Sequence, residues 1–315
     1  SPLCQDFLEK NPSVGSAKNL HAYFFKRVNE MLEERKLITA GWEEVGMKTV
    51  DGGTWVPNPD FANGSVLLYI WNSLAGFQDL GSRLTNAGYP VILCNVGNFY
   101  FDLAYNHHPD EPGHSWGGTM DSRKAYDFIP FDVFKFPIED GYGRPVPSPD
   151  MDQMERLKPE AKKNIRGLQA EIWSETIKGG EMLEYYYVPK LLAFAERAWV
   201  GQADWGYIND DELRRKAISQ DWNTFANSIG QREFPRLDYL FGGFNYRIPP
   251  PGATIKDGNL HVNVSYPGLT VRYTFDGSDP GVNSKIYSSP LKVNGKVKVR
   301  AFDSRGRGGR VSTID

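Results

Sequence analysis

Short apolar runs alternate with segments of helical periodicity through roughly the first two thirds of the chain, and this alternation constrains the fold most. The apolar runs cover 37–42, 65–71, 89–94 and 167–173, and apolar residues recur at helical spacing over 17–35, 76–87 and 181–199. Strands that alternate with helices, each strand being a nearly continuous apolar run, are typical of a parallel sheet covered on both faces. Four such units make half of a (β/α)8 barrel, so the sequence predicts an α/β fold.

The hydrophobic pattern changes near residue 246. Residues 246–252 contain three consecutive prolines, which break any helix or central strand and predict a linker. Beyond it, residues 253–315 alternate between apolar and polar side chains around the turn signals Asp276-Gly277 and Asn294-Gly295. We therefore predict a small β-sandwich over 253–315, after an α/β part that spans 1–245.

Charge and cysteine content exclude several classes of protein. The net charge is −3 with 24% charged residues, which favours neither nucleic acid nor an acidic membrane surface as a partner. The sequence contains no apolar stretch of about 20 residues, the length that would predict a membrane-spanning helix. The only cysteines, Cys4 and Cys94, exclude a disulfide scaffold and a cysteine-based zinc site, and whether they pair is left open. Because residue 1 is Ser, we expect a chain processed or cut from something longer.

Three of the predicted strands end in tryptophan, at Trp42, Trp71 and Trp173. The carboxyl ends of barrel strands are where active sites are built, so the three rings are expected to face one cavity. If the last strand continued, Trp173 and Glu175 would project to the same side. An aromatic wall beside a hydrogen-bond acceptor suits a sugar, although a core tryptophan followed by a solvated glutamate is the alternative.

Residues 98–150 form a long irregular segment rich in aromatic side chains, far beyond the usual connection of roughly 4 to 6 residues. Such a segment is typical of a functional loop, and Phe99-Tyr100-Phe101-Asp102 at its start is the candidate site, with loop aromatics that pack under their own turn as the alternative.

Two other groups of acidic or histidine side chains are weaker candidates for a site. The group His107, His108, Asp110, Glu111 and His114 lies in one loop without the spacing of a helical or finger-type metal site, so no metal is predicted. In Glu43-Glu44, adjacent strand residues face opposite ways, so at most one is expected to enter the cavity.

Five segments, in chain order, resemble the second half of the catalytic barrel of family 20 glycoside hydrolases, the β-N-acetylhexosaminidases. They are "AGWEE", "LLYIWNS", "VILCNVGNFYFD", "GLQAEIWSE" and "YYYVPKLLAFAERAW". The later "YTFDGSDP" is similar to the C-terminal β-sandwich of bacterial chitobiases. The resemblance implies barrel strands five to eight within 1–245, a linker at 246–252 and an immunoglobulin-like sandwich over 253–315, with no cofactor and no metal.

The resemblance also implies roles for individual residues. Tyr100 matches the tyrosine that bonds the acetamide carbonyl of the substrate and stabilises an oxazolinium intermediate. Trp42, Trp71 and Trp173 match the aromatic walls around the terminal sugar. The matched acceptors for the 6-OH and 4-OH of that sugar are Asp102 and Glu175. Trp116 matches the tryptophan that stacks on the next sugar, although Ser115 stands where the Tyr-Trp-Gly pattern has tyrosine.

The catalytic Asp-Glu pair of the family, carried by a His-x-Gly-Gly-Asp-Glu segment, does not occur in these 315 residues. We therefore expect the pair in an N-terminal portion of the same enzyme. That portion is expected to be a partner that the chain needs to fold and to act, because half a barrel leaves strand edges unpaired.

The expected function is an exo-β-N-acetylhexosaminidase that acts on chitobiose and chitooligosaccharides by a retaining, substrate-assisted mechanism. Export by a bacterium is expected, to the periplasm, the outer membrane or the medium. A non-catalytic carbohydrate-binding protein that keeps the aromatic walls is the alternative. A family 18-type hydrolase would need an Asp-x-x-Asp-x-Asp-x-Glu strand, which is absent.

Overall fold

The computed structural model describes residues 1–50, 54–74, 76–135, 142, 144 and 151–315. Most of the final third of the predicted loop, at 136–141, 143 and 145–150, therefore lies outside the described residues. The chain divides into two compact units, one made of Ser1–Trp173 with Glu196–Gly206 and the other of Ser174–Ala195 with Tyr207–Asp315.

The first unit is built around a parallel sheet. The strands of the first unit are β1 (Thr39–Trp42), β2 (Met47–Thr49), β3 (Trp55–Pro57), β4 (Val66–Ile70), β5 (Val91–Leu93) and β6 (Ile165–Leu168). Its helices are α1 (Pro2–Lys10), α2 (Leu20–Glu33), α3 (Leu80–Asn86), α4 (Val96–Phe99) and α5 (Ser122–Tyr126). Within the described residues, all pairings in the sheet order β1-β4-β5-β6 are parallel, which confirms the predicted α/β arrangement.

Strand β4 separates two environments. Val66, Leu68 and Ile70 alternate along it and are at most 3% exposed, and each such burial stabilises the fold by roughly 1.5 to 3 kcal/mol. Helix α3 packs on this face through Gly81, where a Cβ would lie 3.1 Å from Leu93 Cδ2. On the opposite face, Tyr69 contacts Trp42, its register partner on β1, edge-on with ring centroids 6.0 Å apart. That opposite face begins the aromatic region described below.

Helix α2 is tied to the starts of two strands through Asn29, which is 6% exposed. Its Oδ1 accepts from Thr39 Oγ1 at 2.6 Å, and its Nδ2 lies 3.4 Å from Ser65 Oγ. Buried amides need such partners, so these bonds fix how the helix lies on β1 and β4.

The prediction of a fourth strand that runs to Trp173 is wrong at its end, because β6 stops at Leu168. The backbone then leaves β5 and pairs with the segment that follows α4. Phe101 N–H donates to Glu171 O at 2.7 Å, and Glu171 N–H donates to Phe99 O at 3.0 Å. Since Glu175 lies in a turn and is exposed, strand alternation does not place it on the same side as Trp173.

The helix predicted over 181–199 is two helices, α6 (Gly180–Tyr187) and α7 (Lys190–Val200). Pro189 separates them, since it has no N–H to donate and its ring clashes with the preceding turn. The second unit contains α6 together with α8 (Asp211–Ser228), a π-helical turn (Ile229–Glu233) and α9 (Phe234–Leu237).

The C-terminal strands of the second unit form two antiparallel sheets. They are β7 (Gly252–Lys256), β8 (Asn259–Asn263), β9 (Thr270–Thr274), β10 (Lys285–Ile286), β11 (Leu291–Lys292), β12 (Val297–Phe302) and β13 (Ser312–Ile314). Among the described residues the sheet orders are β10-β9-β12-β13 and β11-β8-β7. Leu260 and Val262 of one sheet and Val271 and Val299 of the other meet in one apolar core.

The stretch predicted as a linker, 246–252, is buried over its first half. Tyr246 is 2% exposed and stacks on Phe234 with ring centroids 4.2 Å apart, and Ile248 is 7% exposed in the same core. Arg307 Nη1 donates to Asn245 Oδ1 at 2.7 Å and holds the start of the stretch. The prolines end regular structure here, while the residues beside them pack.

Candidate active site

Five of the predicted side chains meet in one group, the aromatic cluster, made of Trp42, Trp71, Tyr100, Trp116 and Trp173. Ring centroids lie 6.4 Å apart for Trp42 and Trp173, 6.3 Å for Tyr100 and Trp173, and 6.1 Å both for Tyr100 and Trp116 and for Trp71 and Trp116. Tyr100 is 4% exposed at the centre of this chain of contacts, whereas Trp116 and Trp173 are 49% and 41% exposed. The cluster therefore offers flat apolar surface around one buried hydroxyl.

Trp116 reaches the cluster because the long loop folds back on its own start. Ala104 N–H donates to His114 O at 2.7 Å, and His114 N–H donates to Asp102 O at 3.0 Å. Gly113 has φ of 126°, and a Cβ there would lie 2.6 Å from Ala104 N, so this close pairing requires glycine.

Asp102 is fully buried, and its Oδ1 lies 3.3 Å from the backbone N–H of Trp173, from which it accepts a hydrogen bond. It thereby holds the backbone of one tryptophan of the cluster. Glu175, in contrast, belongs to the second unit and is exposed in its turn. The predicted roles of both as acceptors for sugar hydroxyls stay predictions.

The Tyr100 hydroxyl stays protonated. Burial raises its pKa above the ordinary value and the Glu171 carboxylate raises it further, while a hydrogen bond from the Trp173 side chain lowers it. A protonated phenol can donate a hydrogen bond to a carbonyl oxygen.

Burial and Glu171 likewise raise the pKa of the Cys94 thiol, and both Cys94 and Cys4 are free.

Glu43 and Glu44 bind Trp71 together, which strand alternation did not predict. Glu43 is 1% exposed; its Oε2 accepts from Trp71 N–H at 2.9 Å and its Oε1 from Asn72 N–H at 3.1 Å. Glu44 Oε1 accepts from the indole Nε1–H of Trp71 at 3.1 Å. The expectation that the two face opposite ways is wrong, because they lie in a 3-10 turn, Glu43–Gly46, beyond the end of β1.

The environment of Glu43 has a clear electrostatic consequence. Burial raises the pKa of its carboxyl to about 7, and the Glu44 charge adds to the rise, although the backbone hydrogen bonds to Trp71 and Asn72 lower it. The aromatic cluster therefore adjoins a buried carboxyl group that accepts two backbone hydrogen bonds and titrates near neutral pH.

The described residues contain no group of three or more His, Cys, Asp or Glu side chains that could hold a metal ion. In the histidine-rich loop, His108 Nδ1 accepts from Asp110 N–H at 3.2 Å, and Asn106 Nδ2 donates to Glu111 Oε2 at 3.3 Å.

Among the helices that the structure describes, none has the length and apolar character needed to cross a membrane.

Two family models match the chain. The model of the glycosyl hydrolase family 20 catalytic domain matches residues 1–202, and that of the chitobiase/beta-hexosaminidase C-terminal domain matches 233–311.

Among known proteins, the chain is similar to the N,N'-diacetylchitobiase of Vibrio harveyi, with 32% identity over 100% of this chain and 35% of that protein. It is also similar to a beta-hexosaminidase of Vibrio vulnificus, with 28% identity over 100% of this chain and 38% of that protein. It therefore spans little more than a third of the length of these relatives.

The fold is similar to that of a solved structure, the GH20 exo beta-N-acetylglucosaminidase of Vibrio harveyi in complex with N-acetylglucosamine. The TM-score is 0.50 at 22% sequence identity, and the match covers 78% of this chain and 30% of that one.

Proposed function

The chain belongs to glycosyl hydrolase family 20, and we propose that the full-length protein is an exo-acting β-N-acetylhexosaminidase. Its substrates are chitobiose and chitooligosaccharides, from which it removes the terminal non-reducing N-acetylglucosamine. The observation that carries this proposal is the aromatic cluster, in which tryptophan rings surround the protonated Tyr100 hydroxyl. The similarity to a Vibrio N,N'-diacetylchitobiase supports the substrate class.

The architecture that we propose follows from the sheet order β1-β4-β5-β6. These strands serve as strands five to eight of a (β/α)8 barrel within residues 1–245. After the stretch 246–252, residues 253–315 form an immunoglobulin-like sandwich. Because no His-x-Gly-Gly-Asp-Glu segment occurs in the 315 residues, the catalytic pair comes from sequence outside them, and the 315 residues alone are inactive.

In the proposed reaction, the 2-acetamido carbonyl oxygen of the substrate attacks C1. The bond from C1 to the leaving oxygen breaks, and that oxygen takes a proton from the catalytic acid, which belongs to the pair outside these 315 residues. Water then attacks C1 of the oxazolinium and opens it with retention. Trp42, Trp71 and Trp173 restrict the acetamide so that its oxygen stays in line with C1, which lowers the barrier by positioning. The Tyr100 hydroxyl donates a hydrogen bond to the acetamide oxygen.

Since chitin fragments arise outside the cell, export from a bacterium is part of the proposal.

A pair of matched substrates tests the proposal. The full-length protein is expected to hydrolyse chitobiose and p-nitrophenyl N-acetyl-β-glucosaminide, with the β-anomer as the first product by NMR. The corresponding p-nitrophenyl β-glucoside lacks the attacking acetamide, so its kcat/KM should be at least about 1,000-fold lower. Equal rates on both aryl glycosides, or an α-anomer as first product, would contradict the mechanism.

A carbohydrate-binding protein without catalysis is the second candidate, favoured only by the exposure of Trp116 and Trp173. It would bind chitooligosaccharides in calorimetry and release no N-acetylglucosamine on prolonged incubation. The same experiment on the full-length protein therefore separates the two candidates.

Trp116 is the proposed platform for the second sugar. The change Trp116→Ala removes a half-exposed indole, so KM for chitobiose is expected to rise about tenfold, the equivalent of partly exposing one large apolar side chain. Inhibition by free N-acetylglucosamine, which occupies only the place of the terminal sugar, should change by less than about twofold.

The matched control for this prediction is Trp199→Ala. Trp199 is another tryptophan of the first unit, 92% exposed and outside the aromatic cluster. Steady-state kinetics of both variants check the assignment, and an unchanged KM for chitobiose in Trp116→Ala would remove Trp116 from the proposed site.

A further inference from the structure

Two consecutive carboxylates hold Trp71 at the end of β4. We propose that Glu43 and Glu44 are positioning residues that set the orientation of the Trp71 indole in the sugar pocket. This inference rests on the proposed function, since it concerns how the wall of that pocket is held. Neither glutamate needs to touch the substrate, because each acts through Trp71.

Glu43 acts on the backbone. Its two carboxylate oxygens accept from the N–H groups of Trp71 and Asn72, the first two residues beyond β4. One carboxylate therefore bonds to two consecutive backbone N–H groups. These bonds fix the backbone at Trp71 and with it the direction in which the Trp71 side chain leaves the backbone. The turn that carries Glu43 lies close against β4, since a Cβ at Gly46 would lie 2.4 Å from Leu68 Cδ1.

Glu44 acts on the ring. Its Oε1 accepts from the indole Nε1–H at 3.1 Å, which selects one rotamer of the ring about the Cβ–Cγ bond. Hydrogen bonds to an ionised acceptor are stronger than neutral ones, and Trp71 and Glu44 are both half-buried.

The orientation of Trp71 is passed on to its neighbours. Its ring meets Trp116 edge-on, at an interplanar angle of 71°, and Trp116 meets Tyr100 at 68°. A rotated Trp71 would therefore displace Trp116 and open the space beside the Tyr100 hydroxyl.

A purely structural role explains this arrangement less well. Glu43 is 1% exposed with Glu44 beside it, and burying its carboxyl costs free energy that a well-packed apolar side chain would not. This arrangement occurs at the residues that bond to Trp71, an indole of the aromatic cluster.

The test is a double-mutant cycle in the full-length protein with chitobiose as substrate. Glu44→Leu removes the acceptor and is expected to lower kcat/KM about tenfold, the effect of one lost hydrogen bond to a charged group. Glu44→Gln keeps a carbonyl oxygen that can accept from the indole, so it should lose less than about threefold. Trp71→Phe has no indole N–H, and adding Glu44→Leu to it should cost less than about twofold more.

A second variant addresses Glu43. In Glu43→Gln, the amide nitrogen would face one of the two backbone N–H groups, so a larger loss of kcat/KM than in Glu44→Leu is expected, together with a lower unfolding temperature. Because that variant can lose activity through stability alone, the decision rests on Glu44, whose variants should unfold at the wild-type temperature.

The possible outcomes are distinct. Wild-type kcat/KM in Glu44→Leu overturns the inference, and so does a tenfold loss that persists undiminished in the Trp71→Phe background. A wild-type protein that does not hydrolyse chitobiose overturns the proposed function, and this inference with it.

Discussion

Replacement of Tyr100 by phenylalanine is expected to lower kcat about 100-fold while KM changes by less than about threefold, as for loss of a group that positions the attacking atom. The hydroxyl is buried among Trp116 and Trp173 and stays protonated, so it can donate to the acetamide oxygen that attacks C1 in the proposed reaction. In the proposed reaction the bond holds the acetamide oxygen in line with C1, so its loss removes positioning for the attack and should lower kcat rather than raise KM. Steady-state kinetics on p-nitrophenyl N-acetyl-β-glucosaminide measure both constants.

Tyr89→Phe is the matched control. Tyr89 is also a buried tyrosine of the first unit, and its hydroxyl donates to Asn58 O outside the aromatic cluster. Its loss should lower the unfolding temperature and leave kcat within about twofold of wild type. An unchanged kcat in Tyr100→Phe would show that the hydroxyl takes no part in the reaction.

The change Arg197→Met is expected to destabilise the protein by about 3 to 5 kcal/mol, from the loss of two buried hydrogen bonds donated by a charged group at roughly 1.5 to 3 kcal/mol each. Arg197 is 1% exposed; its Nε donates to Tyr126 O at 3.0 Å and its Nη1 to Gly201 O at 2.9 Å. The guanidinium also lies 4.8 Å from the Trp205 ring centroid. Methionine fills similar volume, but it donates no hydrogen bond, so those carbonyl oxygens lose these donors. Urea unfolding of the full-length protein, followed by tryptophan fluorescence, measures the change.

Two further arginine variants sharpen this prediction. Arg197→Lys keeps the charge but not the planar fork, so an intermediate loss is expected. Arg232→Met removes an arginine whose side chain is 70% exposed and paired with Glu233, and it should change stability by less than about 0.5 kcal/mol. Equal unfolding midpoints for Arg197→Met and Arg232→Met would show that Arg197 has no special structural role.

The aromatic cluster could be predicted from the sequence to a large extent. Trp42 and Trp71 end apolar runs, and parallel strands bring their carboxyl ends to one edge of a sheet. The long aromatic loop indicates Tyr100 as a candidate, whereas its contact with Trp116 depends on the hydrogen bonds between residues 102–104 and His114. No periodicity encodes such a return of a loop onto its own start.

Other parts of the site could not be predicted. Strand alternation predicts that Glu175 shares a side with Trp173, but β6 ends at Leu168 because the backbone turns to pair with the segment at Phe99 and Phe101. The resemblance implies that Asp102 is an acceptor for a sugar hydroxyl, whereas its full burial with a bond to Trp173 N–H is visible only in the folded chain.

The sequence by itself determined the alternation of strands and helices, the parallel pairing that this alternation imposes and the aromatic residues at the strand ends, because hydrophobic periodicity is a local property. Only the tertiary structure decided what Glu43 and Glu44 face. Their partner Trp71 is 28 and 27 positions away in the chain, and the hydrogen bonds exist because β1 pairs with β4 in one register. A turn one residue longer would aim both carboxylates elsewhere, so their role is a property of the pairing and not of the pattern.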